Sequence, residues 1–415
     1  MSKLSDLLKT LCWLSLSLGC LAAFPLRAAL PAEAYSSRLL SPRVMSLQVY
    51  KSGDWSQAPV IELNSDEQVL VSFDEMSHDY RRLAYRIRHC DAFWQASTIN
   101  ELDYLEGFSE NNLPEGEISQ TTTIEYTHYE LLLPNDLLQL KLAGNYVLEV
   151  FDRDADEDDV LLQACFSVLD RQIGVEAHVS AQTDRSYNDR YQQLTLELQT
   201  PAGLINRPET ELKVLVCQNR RPDRTVLVDR PYAVSGTSIR YEHHPSLLFE
   251  GGNEYRRFDL SSYKLPGMGI DRLTFERPYY HAYLFEDQVR ISGYTYSPDE
   301  NGRMLVRHRE AGDADYVKVH FSLPVAVPYK EAVYLSGDLL QADIKATEPL
   351  VYNTQTLAYE TCLLLKQGIY NYQYSLPSIE GSYWPTGNEY QIFVYYRPFA
   401  GEYDSLIGYQ VVSNL

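Results

Sequence analysis

The densest grouping of reactive residue types is His89-Cys90-Asp91, an imidazole, a thiol and a carboxylate in succession. Cysteine nucleophiles work when a histidine takes the thiol proton and a third group orients that histidine. The residue types suit this chemistry, but the spacing does not. Along residues 81–90, Leu83, Tyr85, Ile87 and His89 fall on one face, while Arg82, Arg86 and Arg88 fall on the other. Period-2 patterning is that of a half-buried strand, in which neighbouring side chains point to opposite faces. His89 and Cys90 should therefore face apart.

Other chemistries fail on similar grounds. Asp152, Asp154, Asp156, Glu157, Asp158 and Asp159 begin like a calcium loop, which needs glycine sixth and a bidentate glutamate twelfth; Glu157 and Gln163 stand there instead. The segment reads as a solvated hairpin tip between strands at 146–151 and 161–168. His243-His244 are adjacent before Pro245, and the sequence contains no His-Glu-x-x-His, nucleophile elbow or phosphate loop. Gly267-Met268-Gly269 follows a proline and reads as a loop. The 57 acidic residues leave room for a glycosidase carboxylate pair, yet nothing singles one out. The expectation is a protein without catalytic residues, metal or cofactor.

The elements that position these residues begin after an export signal. Lys3 and Lys9 precede an apolar run, Leu11 to Leu26, and Ala32-Glu33-Ala34 supplies small residues for cleavage, so residues 1–34 read as a signal peptide cut before Tyr35. An uncut anchor and lipidation at Cys20 are the alternatives. No later run is long and apolar enough to span a membrane as a helix, so no direct membrane insertion is expected. Removing the signal takes away three basic and two acidic residues, moving the formal charge from −21 to −22. Such a surface repels phosphate backbones, which argues against nucleic acid as a partner. Four cysteines remain, Cys90, Cys165, Cys217 and Cys362, with no Cys-x-x-Cys pair. An oxidising compartment permits a Cys90–Cys165 bridge; buried free thiols are the other reading.

Alternation recurs at Val317, Val319, Phe321 and Leu323 against Lys318, His320 and Ser322, and turn signals such as Ser52-Gly53-Asp54 and Asn301-Gly302 punctuate the chain. Only Ile99–Tyr104 and Asn135–Leu140 suggest short helical turns. The pattern predicts an all-β fold of tandem immunoglobulin-like or early-set β-sandwich domains with few short helices, divided at 35–170, 171–312 and 313–415. Tyrosine is abundant, 33 against 13 phenylalanines and 4 tryptophans. Most should pack cores and corners, with a minority left for partner contact.

A set of anchors then falls into order: His89-Cys90-Asp91 with Trp94, Gly107-Phe108, Tyr126, His128-Tyr129 and Gly144-Asn145-Tyr146; then Gly251-Gly252-Asn253-Glu254; then Lys366-Gln367-Gly368, Tyr370 and Tyr372. In these residues the chain resembles the type IX secretion system plug protein family of Bacteroidetes-type bacteria, long carried as a domain of unknown function. The resemblance implies a non-enzymatic protein of the periplasm, at the periplasmic face of the outer membrane, which binds the opening of the translocon β-barrel and closes it when no cargo is present. It does not say which surface meets the barrel. The family often has an aromatic run after the Gly337 turn, where Asp338-Leu339-Leu340-Gln341 stands here. The alternative is a periplasmic or surface glycan-binding protein, based on Tyr334 to Gly337 and the Tyr370, Tyr372, Tyr374 stripe.

Overall fold

The computed structural model describes residues 34–155, 159–306 and 314–414. The expected signal peptide, apart from Ala34, lies outside the described residues, as do Asp156, Glu157 and Asp158 of the acidic tip. The described chain forms three two-sheet units with short antiparallel strands and four single-turn α-helices, in agreement with the all-β expectation.

The first sandwich pairs two sheets. One runs through Arg38–Leu39, Val160–Leu169, Gly144–Asp152, Leu83–Cys90 and Glu110–Asn112, with Val60–Glu62 added in parallel; the other runs through Val44–Lys51, Val69–Glu75, Thr127–Leu133 and Glu117–Ile118. Leu83, Tyr85, Ile87 and His89 all turn inward, no more than 3% exposed. The arginine stripe opposite is held by acids: Glu149 takes both Arg86 and Arg88, and Asp154 takes Arg82. Asp152 faces Arg43 and Arg81, so the described part of the acidic tip is neutralised by arginines. Residues 138–140 are a strand, not a helical turn, because they pair with Leu105–Gly107.

The other two units are not sequential. The second sandwich takes one sheet from Gly174–Ser180, Tyr191–Gln199, Ser238–Tyr241, Ala233–Ser235 and Leu248–Glu250. Its other sheet runs Thr225–Val228, Leu212–Gln218, Glu389–Tyr396, Ser405–Ser413, so the chain's last two strands complete it. The third sandwich occupies the interval between. Gly368–Tyr374 joins Arg256–Asp259, Met304–Val306 and Leu335–Ser336 in one sheet; Ile270–Glu276, Tyr279–Leu284, Tyr316–Pro324, Ala358–Lys366 and Val351–Asn353 form the other. The expected division between 312 and 313 thus falls inside the third sandwich, and residues 389–413 pair with the second. A pairing that spans more than a hundred residues leaves no local trace in the sequence.

The third sandwich shows how alternation becomes a core. Val317, Val319, Phe321 and Leu323 are 0–1% exposed and pack on Tyr370, Tyr372 and Phe258. Burial of each such side chain stabilises by about 1.5–3 kcal/mol. Tyr372 and Tyr374, 3% exposed each, both donate to Asp287 Oδ2, at 2.8 and 2.6 Å. The tyrosine stripe is therefore interior, and the sugar platform imagined on it has no exposed ring face.

Candidate functional site

Each sandwich has its own core, and the residues that link them carry most of the buried polar chemistry. Between the first and third sandwiches the centre is Asp74, fully buried on the strand Val69–Glu75. Val69, Val71 and Phe73 of that strand face the core, which sends Asp74 to the outer face, where the third sandwich covers it. Lys366 Nζ donates to Asp74 Oδ2 at 2.7 Å, the Tyr316 hydroxyl donates to the same oxygen at 2.6 Å, and His128 Nδ1 lies 2.6 Å from Oδ1. Burial alone would raise the Asp74 carboxyl; Lys366 and the His128 hydrogen bond outweigh it and hold the carboxyl below its usual range. His128 is held above its usual value because its bonds to Asp74 and Glu130 outweigh burial. Lys366 also lies 4.2 Å over the Tyr126 ring, and the Tyr126 hydroxyl donates to the Ala314 carbonyl. Asp315 adds bonds from the Thr123 amide and hydroxyl, and Gln367 accepts from the Asp315 amide.

Between the first and second sandwiches the polar joint is built on Gly144-Asn145. Asn145 Oδ1 accepts from the Tyr395 and Ser167 hydroxyls at 2.9 and 2.7 Å, and its Nδ2 donates to the Asp91 carbonyl. Asp404, fully buried, accepts from the Ala92 amide and from Lys213. Gly144 has φ +145, and a Cβ there would lie 2.4 Å from His89 Nε2 and 3.1 Å from the Asp404 carbonyl oxygen. Only glycine lets the chain pass. Apolar contact among Ala92, Leu169, Leu215, Tyr395 and Leu406 seals this joint.

Between the second and third sandwiches, Gly251 and Asn253 do equivalent work. A Cβ on Gly251 would lie 2.1 Å from the Tyr383 carbonyl oxygen. Asn388 Nδ2 donates to the Gly251 carbonyl, Gln192 Nε2 to the carbonyls of Trp384 and Thr386, and Asn253 Nδ2 to that of Glu380. Glu254 accepts from the Tyr294 hydroxyl and the Gly387 amide. Where all three sandwiches meet, Glu389 binds both Arg220 and Arg303, and Arg220 reaches on to the Ser56 carbonyl. Beside this bridge is a cavity of about 470 Å³, lined by Trp55 and Trp94 of the first sandwich, Cys217 and Phe393 of the second, and Tyr255 and Asp338 of the third.

The reactive types named from the sequence are brought close but not poised. The His89 ring lies among Tyr104, Tyr146 and Tyr403, with Nδ1 2.7 Å from Ser97 Oγ; the Cys90 sulfur packs with Val147 and Cys165 instead. Burial pushes His89 down to about 4 and Cys90 up to about 12. A thiol nucleophile needs the opposite shift. All four described cysteines are free, including Cys90 and Cys165. His243 and His244 each hold an aspartate, Asp184 and Asp229. Burial raises Asp299 to about 6, and its oxygens are bonded to the amides of Tyr255 and Asn301. Among the described residues no group of three or more His, Cys, Asp or Glu could hold a metal.

The structure sorts the remaining anchors. Tyr146 stacks on Phe166, Tyr129 on Phe73, and Tyr370 on Phe258, all as core. Trp94 turns the chain at φ +62, Gly252 does so at +68, and Gly368 lies against the Leu305 carbonyl. Gly107 and Phe108 lie on the surface, Phe108 75% exposed. Sequence reasoning did not single out Asp404, Gln192, Asn388, Asp315 or Tyr316. The available signal was a polar residue amid apolar strand neighbours, as at Asp315-Tyr316-Val317.

The profile of the type 9 secretion system plug protein first domain matches residues 44–170, which are the strands from Val44–Lys51 to Val160–Leu169 of the first sandwich. A crystal structure of a hypothetical protein from Parabacteroides merdae ATCC 43184 is similar over 92% of this chain and 100% of that one, with a TM-score of 0.88 and 36% sequence identity. Residues 44–170 belong to the type 9 secretion system plug protein first-domain family. No curated protein matches it. That domain associates the chain with the type IX secretion machinery and so with the cell envelope. Among the described residues no helix is long and apolar enough to cross a membrane.

Proposed function

We propose that this plug-family chain is non-enzymatic and periplasmic, binds the periplasmic opening of the type IX outer-membrane translocon barrel, and closes it when no cargo occupies the pore. The observation that carries this reading is the joint chemistry. Buried and part-buried charges and amides tie the three sandwiches together at Asp74–Lys366, Asn145–Tyr395 and Glu389–Arg303. Ordinary interdomain interfaces leave domains free to move. A body that must cover a wide lumen against leakage gains from rigidity, and one that only tethers components does not. Release needs no chemical step: cargo or a carrier that binds an open translocon state better shifts the population toward it.

The test is outer-membrane leak. Cells lacking this chain should become permeable to a large antibiotic that the intact outer membrane excludes, and re-expression should restore exclusion. Unchanged permeability with the translocon barrel still present would overturn the reading.

A further inference from the structure

The exposed apolar side chains include a group of three on one tip of the first sandwich. Leu102, Phe108 and Leu137 are 75%, 75% and 56% exposed. They come from the helix Glu101–Tyr104, the turn after the strand Leu105–Gly107, and the turn before the strand Leu138–Leu140. The two strands pair Gly107 with Leu138. Gly107, at φ +104, passes so near the Leu137 carbonyl oxygen that a Cβ would lie 2.2 Å from it, which sets Phe108 beside Leu137. Ser109 Oγ donates to Glu101 Oε2 at 2.8 Å, and Lys141 Nζ donates to the Leu102 carbonyl at 2.5 Å, so the helix is fastened to the turn that carries Phe108 and to the far end of the strand Leu138–Leu140. The base is rigid: Tyr104, 4% exposed, packs on His89, which also touches Tyr403 of the second sandwich.

These contacts fix three apolar side chains in water without burying them. Grouped exposed apolar residues of this kind mark interaction sites. Around them Glu101, Asp103, Glu106 and Asp136 are exposed, against the cations Lys141 and Arg88. The geometry points to this tip as a docking surface for a protein partner that offers an apolar hollow bordered by lysine or arginine. Charge decides among occupants. An acidic ring repels anionic lipid headgroups, and a second copy of a chain of net charge −21 would bring the same ring against itself. Resting on the proposed function, the partner is the periplasmic rim of the translocon barrel.

The experiment places the photo-crosslinker p-benzoylphenylalanine in place of Phe108 or Leu137 in cells. Controls replace Tyr187 and Val327, which are 70% and 74% exposed on the second and third sandwiches. Recovery of the barrel with the unmodified chain is measured alongside. Crosslinks to the barrel from positions 108 and 137 and not from the controls are expected. A Phe108→Ser/Leu137→Ser chain should recover about tenfold less barrel with an unchanged melting temperature. If the unmodified chain recovers the barrel but 108 and 137 give no crosslink to it, the tip is wrong and the plug reading stands. If the unmodified chain recovers no barrel, the plug reading falls, and with it the partner assigned to the tip. Crosslinks only to lipid or to a second copy also overturn the assignment.

Discussion

Replacing Lys366 tests whether the joints are energetic features or incidental contacts. Its ammonium, on a residue 3% exposed, lies 2.7 Å from Asp74 Oδ2 and 4.2 Å above the Tyr126 ring. Lys366→Met keeps most of the stem and removes the charge, leaving a fully buried carboxylate. Removing one member of a buried ion pair costs about 3–5 kcal/mol. Asp74 keeps its bonds from His128 and Tyr316, so the lower end, about 3 kcal/mol, is the expectation. Asp74→Asn strands the ammonium instead and should cost a similar amount. The double variant strands neither charge and should cost clearly less than the sum, with a coupling of about 2 kcal/mol. Urea unfolding of the four proteins followed by tryptophan fluorescence measures this. Because the pair joins two sandwiches, each single variant should also broaden or split the transition. Additivity to within about 0.5 kcal/mol would refute the claim that this pair holds the first and third sandwiches together.

Three further outcomes follow from the same geometry. Gly144→Ala, which would drive a Cβ to 2.4 Å from His89 Nε2, should cost about 2–4 kcal/mol, read as a lower melting temperature, whereas Gly53→Ala, with nothing within 4 Å, should cost less. The folded pKa of His128 is raised above 6.5, so its contribution is complete below that pH and is lost as pH rises through the folded value; Asp74 is depressed, so its contribution is lost on acidification below about pH 4. The stability gap between the natural chain and His128→Gln should therefore shrink on going from pH 6 to 8, as measured by denaturant midpoints, and a gap that widens would contradict the assignment. Finally, unfolded protein spanning residues 35–415 without reductant should titrate four thiols per chain, since Cys90, Cys165, Cys217 and Cys362 are free, with slow reaction in the native state because burial pushes Cys90 up to about 12 and Cys217 to about 11; two thiols would mean a bridge.

Strand identity was legible wherever one face is apolar and the other wet. The Leu83–Cys90 and Tyr316–Pro324 strands turn every predicted apolar residue inward, because a two-residue period leaves no choice of face, and depart from the pattern only at Ala84, Cys90 and Tyr316, which are covered on the outer face. Legibility ended where a polar face is covered by another sandwich. Asp74 on Val69–Glu75 alternates as a solvent-facing residue should, yet it is fully buried, and Lys366 is buried with it. Among the anchors, Tyr129, Tyr146 and Tyr370 are strand core, whereas Asn145, Tyr126, His128, Lys366 and Gly251 lie where two sandwiches meet. Completion of the second sandwich by Glu389–Tyr396 and Ser405–Ser413 was invisible, because its partner strand Leu212–Gln218 lies far back in the chain. The abundance of tyrosine was read as mostly core packing with a minority left for partner contact; the grouped exposed residues of the tip are leucine and phenylalanine. Tyrosine went inward because buried hydroxyls such as those of Tyr316, Tyr372 and Tyr395 fasten the joints and the third core.

The central claim is closure, and conductance tests it directly. Translocon barrel purified from cells lacking this chain, and reconstituted in a planar bilayer, should pass a large ionic current that falls toward zero when the purified chain is added to the periplasmic side. An open current that persists while the chain is demonstrably bound would make it an adaptor of the secretion machinery, and the plug function would be contradicted.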